Sequence, residues 1–161
     1  MLRTMALMLT AVLLGTFTGC QTGQDKERQT EKMFREYLAT WSTHDVEKMA
    51  SFFTNDCVYE NIASGQVYRG RDSLKAWARM SFAMMPDFKV EATSLFASGS
   101  WVACEWVMTG TQTGDAPGLP ATGKSFKVRG STIVELKEGK IHRNADYWDW
   151  ATLMRQLGAM K

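Results

Sequence analysis

Near the C-terminus of this 161-residue chain runs the stretch Gly139 to Trp150, GKIHRNADYWDW. It sets two carboxylates, Asp146 and Asp149, beside an imidazole (His142), an amide (Asn144) and an indole (Trp148). Gly139 and Lys140 read as the end of a hairpin turn, and the residues after them alternate as a strand does. On that alternation His142, Asn144, Asp146 and Trp148 share one face, and Ile141, Arg143, Ala145, Tyr147 and Asp149 share the other. Neither is a plain core face. Buried ionisable groups need partners, so the pattern predicts the wall of a cavity with a polar floor. A carboxylate placed there is suited to acid–base work, because desolvation raises its pKa toward the working pH. The two acids predict opposite faces, so one of them at most belongs to the cavity. Asp146 has donors and an aromatic wall as companions. Asp149 stands where a closing helix begins, the place of an N-cap.

Other residues fit a cavity wall. Trp41, Tyr59, Trp77, Trp106 and Met108 could line a site for a planar apolar ligand. Core packing is the ordinary role of each taken singly, but six tryptophans in so small a domain favour some facing a ligand. Glu60 and Asn61 fall near the tip of a short hairpin, where Glu60 reads as an exposed loop residue. His44 and His142, the two histidines, have no carboxylate or cysteine partner at ligand spacing, so no metal site is expected. No glycine-rich loop joins a strand to a helix as nucleotide binding requires. Lys+Arg 19 against Asp+Glu 17, without a run of like charge, gives no argument for nucleic acid.

The elements that must position these groups come in two halves. Met33, Phe34, Tyr37, Leu38 and Trp41 recur at helical spacing and predict a helix over about 25–40. Asp45 is the expected cap of a second helix carrying Val46, Met49, Ala50 and Phe53. A hairpin follows over Cys57 to Tyr68, then a third helix with Asp72 as cap and Leu74, Trp77 and Ala78 inward. The second half is strand: Phe88–Phe96, Trp101–Thr111, Ser125–Lys137 and the stretch from Lys140, with a glycine- and proline-bearing loop over Gln112–Lys124. Thr152–Leu157 closes the chain as a short helix. Three helices ahead of an antiparallel meander give an α+β domain, in which a strongly curved antiparallel sheet wraps the helices and leaves a cone-shaped pocket.

The chain opens with one charge at Arg3, an apolar run from Met5 to Leu14 and small residues, the pattern of a secretory signal rather than of a span of about 20 residues. The sequence Phe17-Thr18-Gly19-Cys20 resembles a bacterial lipoprotein box. That resemblance implies a signal peptide over 1–19, lipid on Cys20, and a polar tether over 20–30 before a domain at 31–161. It places the protein in the cell envelope, anchored to the membrane through Cys20. With Gln21 next, the side expected in a Gram-negative cell is the outer membrane, facing the periplasm. Cys57 and Cys104 remain, either as a disulfide or as two buried thiols.

The run GTQTGDAPGLPATGK (Gly110–Lys124), then GKI at Gly139–Ile141, YWD at Tyr147–Asp149 and QLG at Gln156–Gly158, resembles the SnoaL-like polyketide cyclase family of the nuclear transport factor 2-like fold. The resemblance implies cofactor-free proton removal next to a carbonyl, with an aspartate of the last strands as acid and base. Asp149 matches the family's motif, and Asp146 has the better companions. Gln112 stands where cyclases often carry a histidine. The ketosteroid isomerases of this fold place a base in the hairpin and an acid on the strand before the last. Here those places hold Asn61 and the pair Ser131 and Thr132, so a steroid isomerase is not expected. The resemblance thus implies a cyclase, isomerase or dehydratase acting on a small apolar carbonyl compound, or a binding protein that keeps the pocket without the chemistry. Homodimers through the open sheet face are common in the fold.

Overall fold

The computed structural model describes residues 18–160, with side chains from Gly23 onward. The expected leader, nearly all of it before Thr18, and the Cys20 side chain lie outside the described residues. The order is α1 (Thr18–Thr43), α2 (Val46–Ser51), β1 (Phe53–Asn61), β2 (Gln66–Arg69), α3 (Gly70–Met84), β3 (Lys89–Ser98), β4 (Trp101–Gln112), β5 (Lys124–Lys137), β6 (Lys140–Trp148) and α4 (Trp150–Leu157).

Helix α1 starts earlier than its apolar stripe. The helix expected from about residue 25 already runs through the whole of 20–30, the segment expected as a polar tether, and from Gly23 on these residues are mostly exposed. Six of the eleven residues, the three glutamines with Lys26, Glu27 and Arg28, lose little on entering a helix, and Arg28 pairs with Asp25 one turn away. Burial begins where the stripe does, with Phe34, Tyr37, Leu38 and Trp41 inside. Asp45 caps α2, its carboxylate accepting the Lys48 N–H at 2.9 Å. The expected cap of α3 is different: Arg69 takes the N-cap position without a side-chain bond, and Asp72 sits inside the first turn near Lys75.

The six strands form one curved sheet in the order β2-β1-β6-β5-β4-β3. It is mixed rather than wholly antiparallel, because β1 and β6 run parallel, with Asn61 opposite Asp146. Helix α3 and the long meander intervene between these strands, and a connection of that length can return the chain in the same direction. Irregularities between Ala92 and Ser94, between Phe53 and Val58, and between Glu135 and Leu136 bend the ladders. The concave face carries Val102, Cys104, Trp106 and Met108 of β4 and Phe126, Val128 and Val134 of β5, all buried. Helices α1 and α3 close over that face, so the core lies between layers, as expected for an α+β domain.

Cys57 and Cys104 are both free and buried. They stand on β1 and β4, three strand spacings apart, roughly 14 Å. A disulfide requires Cα atoms within about 7 Å, so the two-thiol alternative holds. On the outer face of the sheet Phe96, Trp101, Ile133 and Tyr147 are exposed.

Candidate active site

The cavity opens between the concave face and the helices. It measures about 120 Å³ and is predominantly apolar, room for roughly eight waters or a compact bicyclic molecule. Its walls include Trp41, Tyr59, Trp77, Trp106, Met108 and Trp148, all six expected there, together with Tyr37, Leu38, Met85, Phe88 and Leu153. These aromatics also pack on one another: Trp77 meets Trp41 edge-on with centroids 5.3 Å apart and Tyr59 at 4.9 Å. These residues therefore pack the core and line the cavity at once.

Asp146 supplies the floor. Its position on β6 is opposite Thr132 on β5 and Asn61 on β1, so three strands converge on one carboxylate. Thr132 Oγ1 donates to Oδ1 at 2.6 Å and Asn144 Nδ2 donates to the same oxygen at 2.7 Å. The Tyr59 hydroxyl donates to Oδ2. Behind Thr132 stands Trp106, whose Nε1–H donates to the threonine oxygen at 2.7 Å. That indole lies against Gly130, where an added Cβ would come within 2.3 Å of the ring. Glycine is the one residue that allows this approach.

Burial drives the Asp146 pKa above its ordinary value, while the bonds from Thr132, Tyr59 and Asn144 pull it back in part. The neighbouring phenols respond to burial and then to the same carboxylate: Tyr59 and Tyr37 are both held well above the usual tyrosine range. The proton of the cluster thus has one place to leave from, the carboxyl of Asp146.

Asp149 is not in the cavity. It caps α4, its Oδ1 accepting the Thr152 N–H at 2.8 Å and its Oδ2 the Thr152 hydroxyl at 2.6 Å, and these bonds hold its pKa low. His142 is displaced too, for a reason that lies in the strand. Leu136 pairs with Ile141 and Glu135 with Arg143, so His142 is an extra residue, a bulge. Ile141 and Asn144 both face inward across it, whereas strict alternation puts them on opposite faces. The imidazole instead meets Thr54 Oγ1 at 3.1 Å and Asp56 at 3.6 Å. Asn144 is fully buried behind the carboxylate and does not line the cavity, so its role is to hold Asp146 rather than to touch a ligand. Glu60 is not a loose loop residue but pairs with Arg143 on β6.

Thr132 and Asn61, which the sequence marked only as departures from the isomerase acid and base, both line the cavity. Both owe their importance to strand register, and neither lies in a motif. Asn61 is 7 % exposed; its Oδ1 accepts Trp148 Nε1–H at 3.0 Å and Ser64 N–H at 3.2 Å. Gln112, where a histidine was the comparison, is a staple for the loop after β4. Its Nε2 donates to the Gly114 and Pro120 carbonyls, and its Oε1 accepts the Thr122 N–H and hydroxyl.

A model of the SnoaL-like polyketide cyclase family matches residues 31–157. Among characterised proteins, the chain is 23% identical over 130 residues to aklanonic acid methyl ester cyclase DauD of Streptomyces sp. strain C5, covering 78% of this chain and 80% of that one. It is 28% identical over 79 residues to aklanonic acid methyl ester cyclase DnrD of Streptomyces peucetius, spanning 49% of this chain and about half, 54%, of that protein. Among solved structures, a SnoaL-like polyketide cyclase candidate from Jannaschia sp. CCS1 superposes with a TM-score of 0.75 at 20% identity, covering 84% of this chain and 95% of that one. A protein of ketosteroid isomerase-like fold from Catenulispora acidiphila, solved with trimethylamine, gives 0.69 at 22% identity, with coverage of 78% and 92%.

Proposed function

The chain belongs to the SnoaL-like polyketide cyclase family, and from that premise we propose a polyketide-cyclase-type activity on a small apolar carbonyl compound, with Asp146 as the proton carrier. One observation carries this reading: a carboxylate of raised pKa at the floor of an aromatic cavity, gripped by three donors from three residues. In the ring-closing step, ionised Asp146 takes a proton from the carbon next to a ketone. The resulting enolate carbon bonds to a second carbonyl carbon of the same molecule, and the alkoxide so formed takes the proton back from the Asp146 carboxyl. No atom is gained or lost. The hydrogen bonds fix the carboxylate so that it need not reorient between the two transfers.

The test is the first half of that step on a simple bicyclic ketone. With 2-tetralone in D2O, the parent protein should speed exchange of the α-protons seen by proton NMR, and Asp146→Asn should remove at least 99% of that acceleration. Asp149→Asn should keep it. Binding of the ketone without any acceleration would leave a ligand carrier in place of an enzyme.

The envelope location is a second part of the proposal, and its support is the leader and Cys20 in the sequence. Growth of a producing cell with a radiolabelled fatty acid should label the protein, and Cys20→Ser should prevent it.

A further inference from the structure

We infer that Asn61 is the group that binds the ligand's carbonyl oxygen, its Nδ2–H donating to the charge that develops there while Asp146 handles the proton. The inference rests on the Asp146 reading above and assigns the other half of the chemistry.

The argument is an accounting of donors on the cavity wall. Tyr59 and Thr132 spend their hydroxyl protons on Asp146, and Trp106 spends its N–H on Thr132. Trp148 gives its N–H to Asn61, and Ser81 bonds back to the Trp77 carbonyl of its own helix. The Trp41 indole is directed at the Tyr37 hydroxyl. Three donors on this wall then have no recorded protein acceptor, Asn61 Nδ2, the Tyr37 hydroxyl and the Trp77 Nε1–H.

Asn61 is distinguished from Tyr37 and Trp77, which stand on helices α1 and α3, by orientation and by place. Two N–H groups, from Trp148 and Ser64, converge on its Oδ1. An amide so held cannot rotate by half a turn without setting its NH2 against two donors, so the NH2 is the end left for a ligand. The residue is more than nine-tenths buried, and an unspent donor at that depth favours an acceptor. Its Cα is the ladder partner of Asp146 on the neighbouring parallel strand, and both side chains rise on the cavity side. Adjacent strands lie about 4.8 Å apart. That separation lets one carbonyl group rest its oxygen on Asn61 and turn its α-hydrogen to Asp146. Stabilisation of the forming oxyanion by a donor fixed beforehand is the larger electrostatic share of such chemistry. Trp148 is, in this scheme, a positioning residue that acts through Asn61.

Infrared difference spectra of 2-tetralone labelled with carbon-13 at the carbonyl test the inference. In the parent protein the bound carbonyl band should fall below its frequency in hydrocarbon solvent. In Asn61→Leu the band should return to the hydrocarbon value and affinity should fall about tenfold, the worth of one good hydrogen bond. Asn61→Asp, which keeps acceptors for Trp148 and Ser64, should lose the same shift and guards against a folding defect in the leucine variant. Trp148→Phe should broaden the band, and Asp146→Asn should leave its position in place. A band that keeps its parent position in both Asn61 variants, or loss of the shift in Tyr37→Phe alone, would overturn the role of Asn61 while α-proton exchange by Asp146 still stood. Absence of 2-tetralone binding to the parent would overturn both.

Discussion

At the scale of single residues, the carboxyl of Asp146 makes two pH predictions. Its folded pKa lies above its unfolded one, so the unfolded chain ionises first as pH rises past about 3.8, and the folded state holds the extra proton. Stability therefore falls with rising pH between those two values and is level above the folded one. Asp146→Asn has no such titration, and chemical denaturation should show its stability gaining on the parent from acid to neutral pH. For activity the sign is the reverse, since the base must be ionised. The acid limb of the pH–rate profile for proton exchange should lie above 3.8, and Asp149→Ala should not move it. That variant instead loses the cap of α4, lowering Tm by roughly 2–4 °C. Of these residues Asp146 was readable in the sequence, because acid, amide and indole recur at a spacing of two. His142 was not, because an inserted residue in a strand leaves no mark in composition. Asn61 and Thr132 were noticed only as departures from the isomerase pair, and their placing beside Asp146 was not legible: each matters through which residue lies across the ladder, and one strand read alone does not carry its partner's register.

At the scale of elements, two supports of the site are open to trial. Gly130 gives β5 a bare patch on which the Trp106 indole lies. Gly130→Ala should push the ring into the cavity and break its bond to Thr132, costing about 1–3 kcal/mol of stability by urea denaturation and most of the affinity for a bicyclic ketone. The loop between β4 and β5 depends on Gln112, which satisfies four loop groups at once, while Thr113 and Gly114 N–H groups bond the Met84 carbonyl at the end of α3. Gln112→Ala should cost about 2 kcal/mol and raise hydrogen exchange across residues 113–123, with little change over β6. The strands of the second half were legible almost to the residue, since alternation and turn glycines agree there. Helix α1 was not legible at its start, because exposed helical turns without an apolar stripe look like any polar segment. The parallel pairing of β1 with β6 was equally out of reach, being a property of the path between them.

The whole molecule sets the behaviour of its thiols and of its sheet. Burial raises the pKa of Cys57 and of Cys104, the latter to about 11. Both should resist a thiol reagent in the native state, react in denaturant, and leave the melting temperature unaltered by reductant, as separated thiols must. We propose the outer sheet face, where Phe96, Trp101, Ile133 and Tyr147 are exposed, as the surface through which two copies of the chain pair. Phe96→Arg should then shift sedimentation toward the monomer without touching proton exchange. The cavity's composition also has an optical consequence. Four of the six tryptophans line it, and the remaining two, Trp101 and Trp150, stand outside in partial exposure. Near-ultraviolet emission of this protein should therefore come mainly from the walls of its cavity. A conjugated carbonyl compound entering there would dim that light by energy transfer, so candidate ligands can be screened against the unlabelled chain by its native glow.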